Sequence, residues 1–259
     1  MEFNSIRHLL SCTRRAVEKY SMIAPGDKIA VGLSGGKDSL ALLCALSDLR
    51  RFYPSPFELC GITVSMGFEG LDFSPLADFC RELGVGYRVV ETELAHVIFD
   101  VRKESNPCSL CAKMRRGILH DAAKEMGCRK IALGHHYDDV IDTFMLNLFH
   151  EGRLEAFLPV TYLSRKEVTV IRPLLYAKEK DIRYFLSKNS LPVVKNLCPE
   201  DGHTEREKMK TMINSLDREY RGLKHRIFIA MEKGGLFEQK EAPAAAESGK
   251  EEAADKSEV

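Results

Sequence analysis

Lys28–Ala41 reads KIAVGLSGGKDSLA, and the fold follows from it. Ile29, Val31 and Leu33 alternate with smaller residues, the pattern of a short buried strand. Ser34, Gly35 and Gly36 then make a turn where bare backbone can approach a ligand, because glycine has no Cβ and tolerates positive φ. Lys37, Asp38 and Ser39 follow, and a helix is expected from Leu40. A glycine loop feeding a helix N-terminus presents N–H groups and a positive dipole end, which suits phosphate. Lys37 adds a point charge and Ser39 a hydroxyl. The plainer reading is a strand–turn–helix corner capped by Ser39, yet a bare corner has no use for Lys and Asp together. The spacing is neither GxxxxGK[ST] nor GxGxxG.

Outward from this loop, strands are predicted at Phe57–Met66, Tyr87–Glu91, Ile131–Gly134 and Thr169–Arg172. Helical stretches separate them at Leu40–Arg51, Pro75–Leu83, Ala112–Met126, Asp139–His150 and Lys178–Asn189. Strands alternating with helices imply an α/β fold, a Rossmann-like doubly wound parallel sheet covered on both faces. In such a sheet ligands bind beyond the carboxyl ends of the strands. Three loops should meet there: SGGKDS, Ser65–Phe68 and His135–Asp139.

The chain has 259 residues, 44% of them hydrophobic, enough for one large core. No run reaches the roughly 18 apolar residues of a membrane helix, and the N-terminus lacks the pattern of a signal peptide. A cytoplasmic protein with no membrane partner is therefore expected, and its 8 cysteines then point to thiol or metal chemistry rather than disulfides. The formal net charge of +0 hides an acidic segment at 238–259, expected to be a disordered tail, against a modestly basic remainder. Residues 1–24 read as an N-terminal helical segment, with an amphipathic helix over Phe3–Tyr20. Residues 25–225 form the main domain, and 226–237 an extension. The cations Arg7, Arg14, Arg15 and Lys19 of the first helix suit either a solvated face or RNA phosphates.

Two further segments carry chemistry. Gly134-His135-His136-Tyr137-Asp138-Asp139 places two carboxylates at a helix start, where they can cap it or serve a ligand. Pro107-Cys108-Ser109-Leu110-Cys111 puts two thiols within reach of one metal or of each other. The basic residues after it, Lys113, Arg115 and Arg116, should lower the thiol pKa. Cys198, flanked by turn residues, is a third candidate. Cys44, Cys60 and Cys80 read as small buried hydrophobes, and Cys12 and Cys128 as structural. Three cysteines with no obvious fourth leave three readings: a [4Fe–4S] cluster with one open iron, a Cys₃His zinc site closed by His203, or a redox pair carrying a persulfide. Spacing does not choose among them.

SGGKDS resembles the PP-loop of N-type ATP pyrophosphatases, whose second signature is GHHxDD. The ordered set SGGKDS, CSLCxxxRRGIL, IALGHHxDD, IRPL with KEKDI, and NLC resembles the tRNA 2-thiocytidine synthetase family over most of residues 20–225. The resemblance implies ATP held by Ser34, Gly35, Gly36, Lys37, Asp38, Ser39, Ser65, Gly134 and His135, with Mg²⁺ at Asp38. It implies catalytic roles for Lys37, Asp38, Asp138 and Asp139, and a [4Fe–4S] cluster on Cys108, Cys111 and Cys198. The implied reaction adenylates C2 of a pyrimidine, cytidine 32 of tRNA, and replaces its oxygen with sulfur. Lys113, Arg115 and Arg116 would meet the RNA, with the cationic segment Arg206–Arg226 gripping its backbone. A sulfur donor of the cysteine desulfurase type and a homodimer are further implied partners. Ser65 stands where many PP-loop enzymes carry an acid.

Overall fold

The computed structural model describes residues 2–102, 107–194, 197–200 and 204–238. The expected acidic tail beyond residue 238, and His203, lie outside the described residues.

The glycine-loop strand is β1 (Asp27–Gly32), buried over Ile29–Val31. It sits inside a six-stranded sheet of order β3-β2-β1-β4-β6-β5. The flanking strands are β2 (Phe57–Val64), β3 (Gly86–Val90), β4 (Lys130–Ala132), β5 (Val160–Leu163) and β6 (Val168–Ile171). β1 pairs in parallel with β2 on one side and with β4 on the other. The chain thus winds outward in one direction from β1 to β3, then restarts at β4 and winds in the other. That reversal leaves a crevice between the ends of β1 and β4.

The sequence predicted one strand at Thr169–Arg172. The structure has a hairpin there, with β5 antiparallel to β6 along the sheet edge. Its turn, Ser164–Glu167, contains neither Gly nor Asn, and Glu167 adopts φ 51° instead. The usual turn residues that announce a hairpin are missing, so the pattern hid the strand.

Two apolar layers cover the sheet. On one face pack α1 (Arg7–Lys19), α2 (Lys37–Leu49), α3 (Ser74–Glu82), α5 (Tyr137–Leu146), α6 (Glu179–Ser187), α7 (Glu205–Glu219) and α8 (Leu223–Lys233). On the other lie α4 (Pro107–Glu125) and a π-helical turn, His96–Arg102, which bury Leu119, Ala122, Ala123 and Ile98. α8 runs across residue 225, and its Phe228 and Met231 enter the same core as α2. Two cations of α1 are used in this packing: Lys19 pairs with Glu232 at 2.7 Å, and Arg15 lies 4.1 Å over the Tyr176 ring. Cys44, Cys60, Cys80 and Cys128 are all buried, with the Cys60 and Cys128 sulfurs 3.2 Å apart.

The helix after the glycine loop starts at Lys37, three residues earlier than expected, so Lys37, Asp38 and Ser39 form its first turn. Gly35 holds φ +78°, and a Cβ there would lie 2.7 Å from Cβ of Val194. Val194 in turn donates its N–H to the Gly35 carbonyl at 3.0 Å. Gly35→Ala should therefore cost about 2 kcal/mol through the left-handed backbone and the overpacked contact. Urea unfolding measures this, and an unchanged midpoint would show the turn to be unconstrained.

Candidate functional site

At the crevice lies a cavity of about 560 Å³. One wall is the glycine loop, through Ser34, Asp38 and Ser39, and a second is Gly134 and His135 after β4. The third is α4, through Ala112, Arg115 and Arg116, with Asp139 of α5 and Arg206 of α7 at the rim.

The loop is ordered by its own hydroxyls. Ser39 Oγ donates to the Gly36 carbonyl at 2.9 Å, and Ser34 Oγ accepts from Gly36 N–H at 3.3 Å. No side chain caps α2, so its first-turn N–H groups remain for an anion. Gly134 faces this helix start: a Cβ there would come within 3.0 Å of the Asp38 backbone and 3.1 Å of Ser39 N. Only glycine lets the two loops approach so closely.

Asp38 is half-buried, and its Oδ1 has no hydrogen-bond partner. Its other oxygen takes the Lys37 ammonium at 2.8 Å, while Lys37 also reaches Glu179 at 3.3 Å. Burial disfavours the Lys37 charge, but Asp38 and Glu179 outweigh it and raise the pKa. Glu179 is opposed by burial too, yet Arg183, Lys37 and Lys210 hold it down to about 2. Asp38 Oδ1, with His136 Nε2 near it at 3.6 Å, lies beside an uncapped helix start and could supply one ligand to a phosphate-bound Mg²⁺.

The two adjacent acids of GHHYDD part company. Asp139 borders the cavity while closing a reciprocal cap with His136: its Oδ2 accepts from His136 N–H at 2.9 Å, and His136 Nδ1 accepts from Asp139 N–H. Capping and site roles thus coincide in one residue. Asp138 turns away from the cavity and accepts from Glu179 N–H at 2.8 Å and Lys224 at 2.5 Å. Burial raises its pKa, but those donors prevail and lower it.

Other expected residues also separate. Ser65 is buried off the cavity, where its carbonyl accepts from Thr92 and its Oγ from Gly67 N–H. Val64, one residue earlier, takes the place at the wall. Lys113 is exposed and does not border the cavity, whereas Arg115 and Arg116 do. Arg206 reaches Thr143 at 3.2 Å and Asp139 at 3.8 Å. It was legible only as part of a basic segment, since its contact spans 63 residues.

α4 starts at Pro107, five residues before the expected Ala112, so Cys108 and Cys111 lie in its first turns. Cys108 is exposed, while Cys111 and Cys198 are partly buried. The expectation that neighbouring bases lower the thiol pKa is not met: Cys108 is raised by burial, then by Glu200, Cys198 and Cys111. Cys111 is likewise raised by burial, with Arg115 opposing and Cys198 adding to it. Among the described residues no three His, Cys, Asp or Glu side chains converge as ligands of a single ion. His203, the fourth ligand of the zinc reading, lies outside the described residues.

Below the site, Asp142 is buried with Oδ1 unpartnered, and burial pushes its carboxyl up to about 7. The folded state therefore holds a proton that the unfolded chain releases above the ordinary value of 3.8. Stability from this group is full below that value and is lost as pH rises towards 7, on the order of 4 kcal/mol in total. Asp142→Asn should flatten the melting temperature between about pH 5 and 8 and raise it at the alkaline end. A parallel decline in both proteins would show that Asp142 is not the titrating group.

Comparison with known proteins agrees with this geometry. Residues 4–216 match the model of a family described as the PP-loop domain. The chain is 38% identical over 237 residues to the tRNA-cytidine(32) 2-sulfurtransferase of Geobacter sulfurreducens, covering 89% of this chain and 92% of the relative. It is 38% identical over 222 residues to the protein of that name from Aliivibrio fischeri, covering 85% and 72%. Among solved structures it superposes on the U34-tRNA thiolase NcsA from Methanococcus maripaludis, solved with its [4Fe-4S] cluster. The TM-score is 0.73 at 27% identity, covering 92% of this chain and 80% of that one. The chain therefore belongs to the PP-loop family, in the group of the tRNA-cytidine(32) 2-sulfurtransferases.

Proposed function

We propose that the protein is an ATP-dependent tRNA sulfurtransferase that converts cytidine 32 to 2-thiocytidine. One observation carries this reading: a single cavity has the phosphate-binding loop on one wall and the cysteine-bearing helix α4 on another.

The roles follow from the walls. ATP phosphates would lie on the α2 N-terminus, with the Ser34 and Ser39 hydroxyls beside them, and Asp38 Oδ1 would hold the Mg²⁺ that neutralises their charge. The C2 oxygen of the base attacks the α-phosphorus, and the bond to pyrophosphate breaks. Charge spreading over the phosphoryl oxygens meets fixed N–H dipoles and the Arg115, Arg116 and Arg206 cations, the electrostatic help such transfers need. Sulfur then bonds to C2, and AMP leaves with the former base oxygen. A [4Fe–4S] cluster held by Cys108, Cys111 and Cys198 would leave one iron without a protein thiolate, and so supply a place to carry the sulfur. A loop base suits the cavity because it can be splayed out of its stack. Lys113, Arg115 and Arg116 line its approach, and Arg206–Arg226 holds the backbone.

Asp138 acts through structure here, tying α5 to α6 and α8. We assign the protein to the cytoplasm, with sulfur delivered by a donor of the cysteine desulfurase type and the enzyme acting as a homodimer. No described helix is long and apolar enough to cross a membrane.

Protein purified without oxygen should carry about four irons and four sulfides per chain, and Cys198→Ala should lose them. Given tRNA, ATP and a sulfide source it should form 2-thiocytidine at position 32, with one AMP and one pyrophosphate per base. Lys37→Ala and Asp38→Ala should each lower AMP formation roughly 10²-fold or more. AMP formed without 2-thiocytidine would overturn the acceptor, and one zinc without sulfide would overturn the cluster.

A further inference from the structure

His135 borders the cavity yet has no part in the steps above. Its ring stacks on Phe157 with centroids 5.0 Å apart, and its Nδ1 receives the Nε–H of Arg172 at 3.3 Å. Arg172 does not border the cavity. It is anchored behind it: Nη1 donates to the Leu158 carbonyl at 2.5 Å and to Thr161 Oγ1 at 3.1 Å, and the guanidinium lies 4.9 Å over Phe157. Its backbone N–H adds a bond to Pro159 at 3.0 Å. The hairpin edge therefore fixes the arginine, and the arginine faces the imidazole.

A guanidinium has only N–H donors. The Nδ1 it meets must present a lone pair, so the ring's single proton sits on Nε2, at the other side of the ring. The surroundings oppose a second proton. Burial acts first, followed by Arg172 at the end of β6, Arg206 from α7, the adjacent His136 and Arg116 from α4, and together they push the pKa down to about 3. A ring so placed does not cycle between base and acid near neutral pH.

We propose that Arg172 is a positioning residue that locks His135 as a neutral donor, whose Nε2–H serves the phosphoryl oxygens of the nucleotide in the cavity. The choice of a phosphoryl oxygen rests on the ATP reading above, whereas the tautomer does not. A neutral donor stabilises an oxygen that gains charge without itself gaining or losing a proton, and its direction is set before substrate arrives.

The test is histidine ¹⁵N NMR on the full chain, with His135→Gln to assign the signals. His135 should show the Nε2–H tautomer alone, unchanged between about pH 5.5 and 8. Arg172→Met should give a tautomer mixture and lower kcat for AMP formation roughly 10²-fold, while Arg172→Lys, which keeps a donor, should restore the tautomer. A wild-type ring protonated at Nδ1 or on both nitrogens overturns the proposal. So does an unchanged His135 signal in Arg172→Met. Should that variant not fold, the wild-type and Arg172→Lys spectra decide. Failure of wild-type protein to form AMP would overturn the ATP reading while leaving the tautomer result standing.

Discussion

The site depends on one close approach. Where β4 ends and α2 begins, the Gly134 backbone lies against the Asp38 carbonyl and the Ser39 amide, with no room for a Cβ. The approach is possible because β1 and β4 are parallel neighbours whose following loops leave the sheet at the same end. It sets the width of the crevice. A side chain at position 134 would push the second signature away from the first turn of α2, and the N–H groups of that turn would lose their opposing wall.

Around that contact, charge is sorted by which side of α5 it falls on. Asp138, Asp139 and Asp142 lie within about one helical turn, and three ionised carboxylates so close would repel. The structure resolves this with three different environments. Asp138 is neutralised by Lys224, Asp139 spends one oxygen on the helix cap, and burial keeps Asp142 largely protonated until the pH nears 7. Lys224 comes from α8 and Glu179 from α6, so these two helices contribute to the site's electrostatics without bordering the cavity, whereas α7 reaches its rim through Arg206.

Much of this was legible in the sequence, for local reasons. Ile29, Val31 and Leu33 alternate, two glycines follow, and the strand–loop–helix unit is encoded in consecutive residues. The cap formed by Asp139 is a contact across three positions and is equally readable. What escaped is long-range. Asp138 cannot be told from Asp139 by pattern, because its partner Lys224 is 86 residues away. Ser65 and Val64 differ in facing by a single strand residue, and a one-residue shift reverses which side chain meets the crevice. The β5–β6 hairpin was hidden by a turn without glycine, and with it the anchors that make Arg172 more than a strand-end cation. The thiol pKa differs from expectation because burial, the largest influence on both Cys108 and Cys111, outweighs the nearby bases.

Helix α4 links the cavity to the cysteines, which do not themselves border it. Cys108 and Cys111 are three residues apart, and Arg115 is four beyond, so all three lie along one face of the helix. From Cys111 to Arg115 the rise is about 6 Å, at roughly 1.5 Å per residue. Arg115 is near enough to oppose the rise in the Cys111 pKa that burial and Cys198 produce, though it does not reverse it. The sulfur end and the phosphate end of the site are therefore joined by a rigid rod, seated on β2 and β4 through Leu119, Ala122 and Ala123. On the proposed function, a base activated at the glycine loop would lie within a turn or two of helix of the thiols, which themselves stand outside the cavity wall. Transfer over that span needs no swinging domain, only a base held between the arginines and the cysteines of the same helix.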